Sequence, residues 1–373
     1  MPQADPLPLP APEVLFRVLL VGTFTLHILA MNVLMGGSIL TAFNAVLERL
    51  RPDAQRAVLL QRAGRPLTVS AAVTVSLGIA PLLFVQLLYG PFFFTSSILM
   101  AIPWLSVVAF VIAAYAGLYL VELWSRTLGP WAVAVRIGSA LLLAGVAFLY
   151  VNNVTLMLAP DEWRDIHEHF RRGLYLPLGQ AELFPRYLHF LLSSLAVGGL
   201  ALLAYGLWVR RHEPAFGDWC RRQGAWWFLV PTALQMAVGP IFLVTQPASA
   251  RDVFLAADLL ETGVLWAGVA SAVVAAALVL WTLRTRSPTV PGAAAVGFIV
   301  VSVALMSVAR DLLRAARTSS HLDVGTLPSE TQAAAAIFFF VVLVAGLSTV
   351  AYMLWLLRRG RPGLADRPYE GPS

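Results

Sequence analysis

Nine apolar runs, each about the length needed to cross a bilayer, divide the chain at 14–42, 67–89, 95–124, 132–158, 187–209, 224–246, 262–283, 289–309 and 333–357. A soluble core does not need helix after helix of that length, whereas a hydrocarbon slab does. Only 12% of the 373 residues are charged and 59% are hydrophobic, so too little polar surface remains to cover a water-soluble protein. The expected fold class is all-α: a polytopic membrane helix bundle of about nine transmembrane helices. Residues 1–359 form a single transmembrane domain in this reading. Residues 360–373, rich in proline, glycine and charge, read as a disordered cytoplasmic tail. The proline-rich start has no basic region before the first apolar run, which is too long for a signal-peptide core, so the first helix is expected to stay. The sequence shows no convincing internal repeat.

All 26 basic residues are arginines, and their placement predicts the orientation. With the N-terminus outside, the segments between spans on the cytoplasmic side hold 17 of them, among them Arg49, Arg51, Arg126, Arg136, Arg210, Arg284 and Arg358. The outer segments carry the other nine mixed with acids, so the positive-inside rule favours the N-terminus outside and an inner-membrane location. The formal charge of +6 belongs to those loops, and nucleic acid is not an expected partner. Cys220 is the only cysteine, which rules out an internal disulfide, and no Cys-x-x-Cys-His run for covalent haem attachment occurs.

The polar groups inside the apolar runs carry the chemistry. An imidazole in hydrocarbon is costly unless something binds it, and His27 and His189 stand in the first and fifth runs. Each is a candidate ligand to a membrane-embedded haem iron, with a hydrogen-bonded structural histidine as the alternative. Counted from the expected helix starts, His27 falls near mid-membrane and His189 near the outer face, so two separate sites are expected. Met157 and Met306, near outer helix ends, are candidates for a second axial ligand opposite His189, since Met and His together form a known electron-transfer arrangement, although for either one alone a gap-filling core residue is the favoured reading. Arg310, Arg314 and Arg317 recur at helical spacing and share a face that could clamp haem propionates or another carboxylate, with a solvated helix extension as the equal alternative. Glu122 and Arg126 read as an interfacial ion pair. Trp163, Ile166 and Phe170 predict a short helix lying in the interface, on which His167 and His169 are surface residues. Phosphate-loop, dinucleotide, zinc and nucleophile-elbow patterns are absent.

Several segments together resemble subunit I of the cytochrome bd quinol oxidases. The run His27-Ile28-Leu29-Ala30-Met31-Asn32-Val33-Leu34-Met35-Gly36-Gly37 is similar to that family's opening helix with its haem-ligating histidine. Phe184-Pro185-Arg186-Tyr187-Leu188-His189 is similar to the second haem-ligating segment, and Val151-Asn152-Asn153 to the asparagine-bearing run before it. Leu234 to Gly239 and Arg310 to Ala315 echo further segments. The resemblance implies nine helices with the N-terminus outside. It also implies one or two haem b groups held by His27 and His189, with Asn152, Arg310 and Arg314 nearby.

The departures from the family bear on function. Phe84 stands where the family has a glutamate, and no acid lies between Asp53 and Glu122, which removes the expected proton donor for oxygen. No methionine lies between Met236 and Met306, where the family has its axial methionine, and the quinol-binding loop shrinks to residues 247–261. The sequence therefore predicts a bd-like membrane cytochrome b that transfers electrons between the quinone pool and a partner redox protein, without reducing oxygen. Expected partners are other respiratory-complex subunits or cytochromes, membrane lipid and a quinone. The alternative is a haem-free scaffold subunit of a respiratory complex. A small-molecule transporter has too few buried acids to couple to ions.

Overall fold

A chain segment crossing hydrocarbon must satisfy its own backbone hydrogen bonds, and the long elements here are all helices. The computed structural model describes residues 8–170, 172–255 and 259–359. Their order is α1 (Glu13–Leu50), α2 (Ala54–Arg62), α3 (Gly64–Leu99), α4 (Ala101–Leu128), α5 (Trp131–Met157), α6 (Trp163–His169), α7 (Leu183–Val209), α8 (Pro214–Val244), α9 (Ala248–Leu255), α10 (Leu259–Arg284), α11 (Thr289–Thr318) and α12 (Ala333–Arg359). Among the described residues, nine helices are long and apolar enough to cross a membrane, and the chain is a multi-span membrane protein. The expected tail, 360–373, lies outside the described residues.

At about 1.5 Å per residue, the 38 residues of α1 extend well beyond a hydrocarbon layer of about 30 Å, so both ends project. Arg17, one turn in, bonds Asp311 of α11 at 2.9 Å and ties the projecting start to the second half of the chain. Beyond its other end, Asp53 caps α2 by accepting the Arg56 N–H at 2.9 Å.

The boundary expected at Gly90-Pro91 is a kink rather than a chain reversal. Helix α3 runs through Pro81 and Pro91 to Leu99, and the chain turns at Met100 instead. Proline removes a donor and crowds the residues before it, and Tyr89 accordingly leaves helical geometry at φ −125°, ψ 31°. The break at Ser287-Pro288 does separate two helices, α10 and α11.

The helices pack as two four-helix halves. Helices α1, α3, α4 and α5 form the first; α7, α8, α10 and α11 form the second; α12 lies outside against α3, with Phe339 edge-on to Phe84 at 5.4 Å. The halves meet where α1 crosses α7. A Cβ on Gly36 would collide with the Ser194 carbonyl, and one on Gly198 would come within 2.8 Å of the Gly36 Cα. Only glycine allows backbones this close, and close packing is what holds helices together in lipid. Asn32 and Ser194 seal the crossing, the serine hydroxyl donating to the asparagine Oδ1 at 2.7 Å.

This crossing exposes an internal repeat that the sequence was not expected to contain. His27 precedes Gly36-Gly37 by eight intervening residues, and His189 precedes Gly198-Gly199 by the same interval. The first glycines face each other, while the second ones turn outward, Gly37 onto Leu67 of α3 and Gly199 onto Trp227 of α8. Each half thus repeats one arrangement about an axis running along the helices, the parallel type of membrane-protein repeat.

Candidate functional site

His27 and His189 occupy equivalent places. The His27 ring lies against α3, its Nδ1 donating to the Thr74 carbonyl at 3.0 Å, and a Cβ on Gly78 would press within 2.8 Å of the ring. The His189 ring lies against α8, where the Gln235 amide is 3.3 Å from ring Nε2 and Gly239 stands beside Cε1 and Nδ1. Thr74 and Gly78 are each 161 residues from Gln235 and Gly239, so the facing helix repeats as well.

The expected difference in depth is corrected by the α1–α7 crossing. Each histidine comes five residues before a partner in the Asn32–Ser194 bond, and both helices run the same way, so both rings lie about 7 Å from that bond on the same side. The sequence misplaced them because α1 begins further out than the apolar pattern can show. Two distinct places nevertheless remain, for a different reason: each ring turns away from the α1–α7 contact into its own half.

The two rings differ in how far the protein satisfies them. Donation from Nδ1 to a carbonyl fixes the His27 tautomer and leaves Nε2 with a free lone pair, the usual preparation of a histidine for binding metal. His189 faces the Gln235 amide nitrogen with Nε2 at a long 3.3 Å, leaving either ring nitrogen to serve as ligand according to the tautomer, and its Nδ1 is buried with no partner. A buried polar atom left so costs about 1–3 kcal/mol, which a bound group would recover. In the first half, the buried Asn152 Oδ1, Tyr89 hydroxyl and Thr74 hydroxyl are likewise unpartnered.

Packing points to the same region. The apolar core of the second half gathers around Leu200, Leu203, Phe228, Val279 and Ile299, beyond Ser194 along α7. The buried residues of α8 stop at Thr232, one turn before Gln235. The helix around His189 is therefore less tightly enclosed than the helix below it. An apolar planar group with one nitrogen ligand fits this donor set. Among the described residues no group of three His, Cys, Asp or Glu side chains could hold a bare metal ion, whereas haem iron needs only one or two protein ligands.

At the end of the bundle where α1 begins, five arginines meet three acids. Arg17 and Arg314 both bond Asp311, at 2.9 and 3.1 Å, and Arg17 also lies 3.4 Å from Glu13. Arg186 and Arg317 both bond Glu182, at 2.8 and 3.2 Å. Arg186 also lies over Phe242, whose ring stacks near His189 at 6.4 Å. Arg310 is different: it lies over the Phe24 ring at 4.2 Å, one turn from His27, with no hydrogen-bond partner among the described residues. The three arginines expected on one face of α11 thus fan out to separate helices.

The methionines sit elsewhere. Met157 is buried with Phe16, Leu88 and Tyr89, and Met306 lies against Gly268 of α10. The residue placed against His189 is Gln235, which sequence reasoning noted only as part of a family segment. Glu182 and Asp311 were missed too, although Glu182–Arg186 and Asp311–Arg314 have ordinary helical spacing.

Glu122 does not pair with Arg126. Trp124 breaks the helix between them at φ −129°, ψ 21°, and the carboxylate lies instead against Gly64 at the start of α3. On α6, Ile166 is buried and Trp163 donates to the Leu156 carbonyl at 2.9 Å, so the short helix faces inward with two of its three apolar residues. His167 and His169 are exposed, as expected.

No family model matches the chain, and no curated protein matches it. Its fold is that of a solved chain described as "The structure of bd oxidase from Geobacillus thermodenitrificans", with a TM-score of 0.69 over 94% of this chain and 99% of that one. Sequence identity is 14%, so the likeness is one of fold, and it matches the fold expected from the bd-like segments.

Proposed function

We propose that this chain is a bd-like membrane cytochrome b that passes electrons between the quinone pool and a partner redox protein, without reducing oxygen itself. The observation that carries this reading is the buried His189 Nδ1, unpartnered beside a loosely enclosed stretch of helix and repeated in position by His27. His189 and His27 would each hold one haem b, which when bound supplies a one-electron carrier. Gln235 and the Thr74 carbonyl orient the rings. Arg310, the one arginine of its cluster without a polar partner, is placed to accept a propionate, with Arg314 behind it. Asn152 offers its free Oδ1 within the first half. Met157 and Met306, packed against Tyr89 and Gly268, would have to leave those contacts to take the opposite axial position.

The absence of acids between Asp53 and Glu122 supports a chain that does not itself deliver protons to oxygen. Phe84, at the position of the family's glutamate, is buried in an apolar cluster with Phe16 and Leu88. In this reading the protein works in the cytoplasmic membrane with its N-terminus outside, beside other respiratory subunits or cytochromes.

The test is a dithionite-reduced visible spectrum with haem extraction. Wild-type protein should show b-type bands and two haems per chain, and His189→Ala and His27→Ala should each remove one. Bands unchanged in both variants would defeat the assignment. A second reading, a haem-free scaffold, draws on the packed positions of Met157 and Met306 and requires a colourless protein.

A further inference from the structure

At the opposite end of the first half, a cleft of about 190 Å³ opens between the last turn of α1, α2, the end of α4 and the start of α5. Arg49, Arg126 and Arg136 line it together with Glu48, Gln61 and Ser125. The acid is already engaged, since Glu48 accepts the Asp53 N–H at 3.1 Å and lies 3.6 Å from Arg56. Arg49 and Arg126 are exposed and have no partner among the described residues. Arg136 is 9% exposed, donates to the Leu60 carbonyl at 3.0 Å and has the Glu122 carboxylate as its charged neighbour, so the cleft's free positive charge is that of Arg49 and Arg126.

The same end of the second half handles its arginines differently. Arg210 and Arg221 share Asp218 at 3.0 and 3.2 Å, and Arg221 also bonds the Thr282 carbonyl at 2.5 Å. Arg211, Arg222, Arg284 and Arg286 are exposed at this end too; in the first half a cleft gathers Arg49, Arg126 and Arg136 around one space.

We infer that this cleft binds the phosphodiester headgroup of an anionic phospholipid. Its volume is below the 300 Å³ or so of pockets that enclose whole small molecules, so it suits an occupant that inserts only its head. Around it Leu50, Leu123, Trp124 and Trp131 are exposed, Leu50 and Trp131 to 71%, which offers acyl chains an apolar flank and places indoles at headgroup level. Arginine matches phosphate geometry by paired N–H donors, and basic pockets between helices on the anionic leaflet are recognised lipid sites.

The experiment is native mass spectrometry of the full chain in detergent, titrated with phosphatidylglycerol, with phosphatidylcholine and with inorganic phosphate. Wild-type protein should retain one phosphatidylglycerol in preference to phosphatidylcholine. Arg49→Gln combined with Arg126→Gln should weaken that retention about 30-fold, given about one kcal/mol per arginine at a membrane surface. Arg49→Lys with Arg126→Lys should restore most of it, and Arg284→Gln with Arg286→Gln, the same charge loss on the other half, should leave it unchanged. Equal retention by the glutamine variant, equal retention of phosphatidylcholine, or displacement of the lipid by equimolar inorganic phosphate each overturns the inference.

Discussion

A lone imidazole in an apolar run is among the most legible residues in a membrane sequence, because hydrocarbon tolerates few polar groups without a purpose. His27 and His189 could be singled out that way. Their surroundings could not, since Gln235 and Thr74 are unremarkable in a helix until the fold brings them against a ring. The same holds for Gly36, whose closeness to Ser194 depends on a helix 158 residues away in sequence. Gly36→Val forces a β-branched side chain into backbone and should lower stability by more than the 1–3 kcal/mol or so of ordinary overpacking, read as loss of folded yield in detergent. Gly22→Ala, with nothing within 4 Å of the added carbon, should be neutral in the same assay. Ser194→Ala removes a buried interhelical bond and should cost about 0.6–2 kcal/mol, measured by the unfolding midpoint in mixed micelles.

Helix existence was readable from apolar length alone, and so was the all-α class. Boundaries were less so: proline at position 91 suggested a stop, and the chain does leave helical geometry at Tyr89, but helix resumes beyond it and the reversal comes at Met100. A local distortion at Trp124 likewise dissolved the expected Glu122–Arg126 pair, which assumed an unbroken helix. The short helix α6 carries a testable pH response. His169 Nδ1 bonds the Asp165 carbonyl at 2.9 Å and lies 3.1 Å from its carboxylate, and these contacts raise its pKa above 6.5. A raised folded-state pKa means that the bond's contribution is present below the ordinary value and is lost as pH climbs through the folded one. Ring titration by NMR should show the elevated midpoint, and Asp165→Asn should bring it back toward 6.5.

At the scale of the molecule, the repeat is the feature the sequence hid. It survives in few marked identities, a histidine, a glycine pair and the glycine facing each ring, because lipid-facing positions accept almost any apolar residue. Only the geometry of the crossing shows that those few are structural equivalents. On the proposed reading of one haem in each half, single histidine variants should each lose one haem and leave the other spectrum intact, as equilibrium redox titration can resolve. The crossing has an electrical consequence as well. Two places at one level of a bilayer share one potential, so an electron exchanged between the positions of His27 and His189 travels sideways and meets almost none of the 2.3 kcal/mol or so that 100 mV imposes on a charge crossing the whole membrane. Whatever voltage the cell sustains, the balance between those two positions should be indifferent to it.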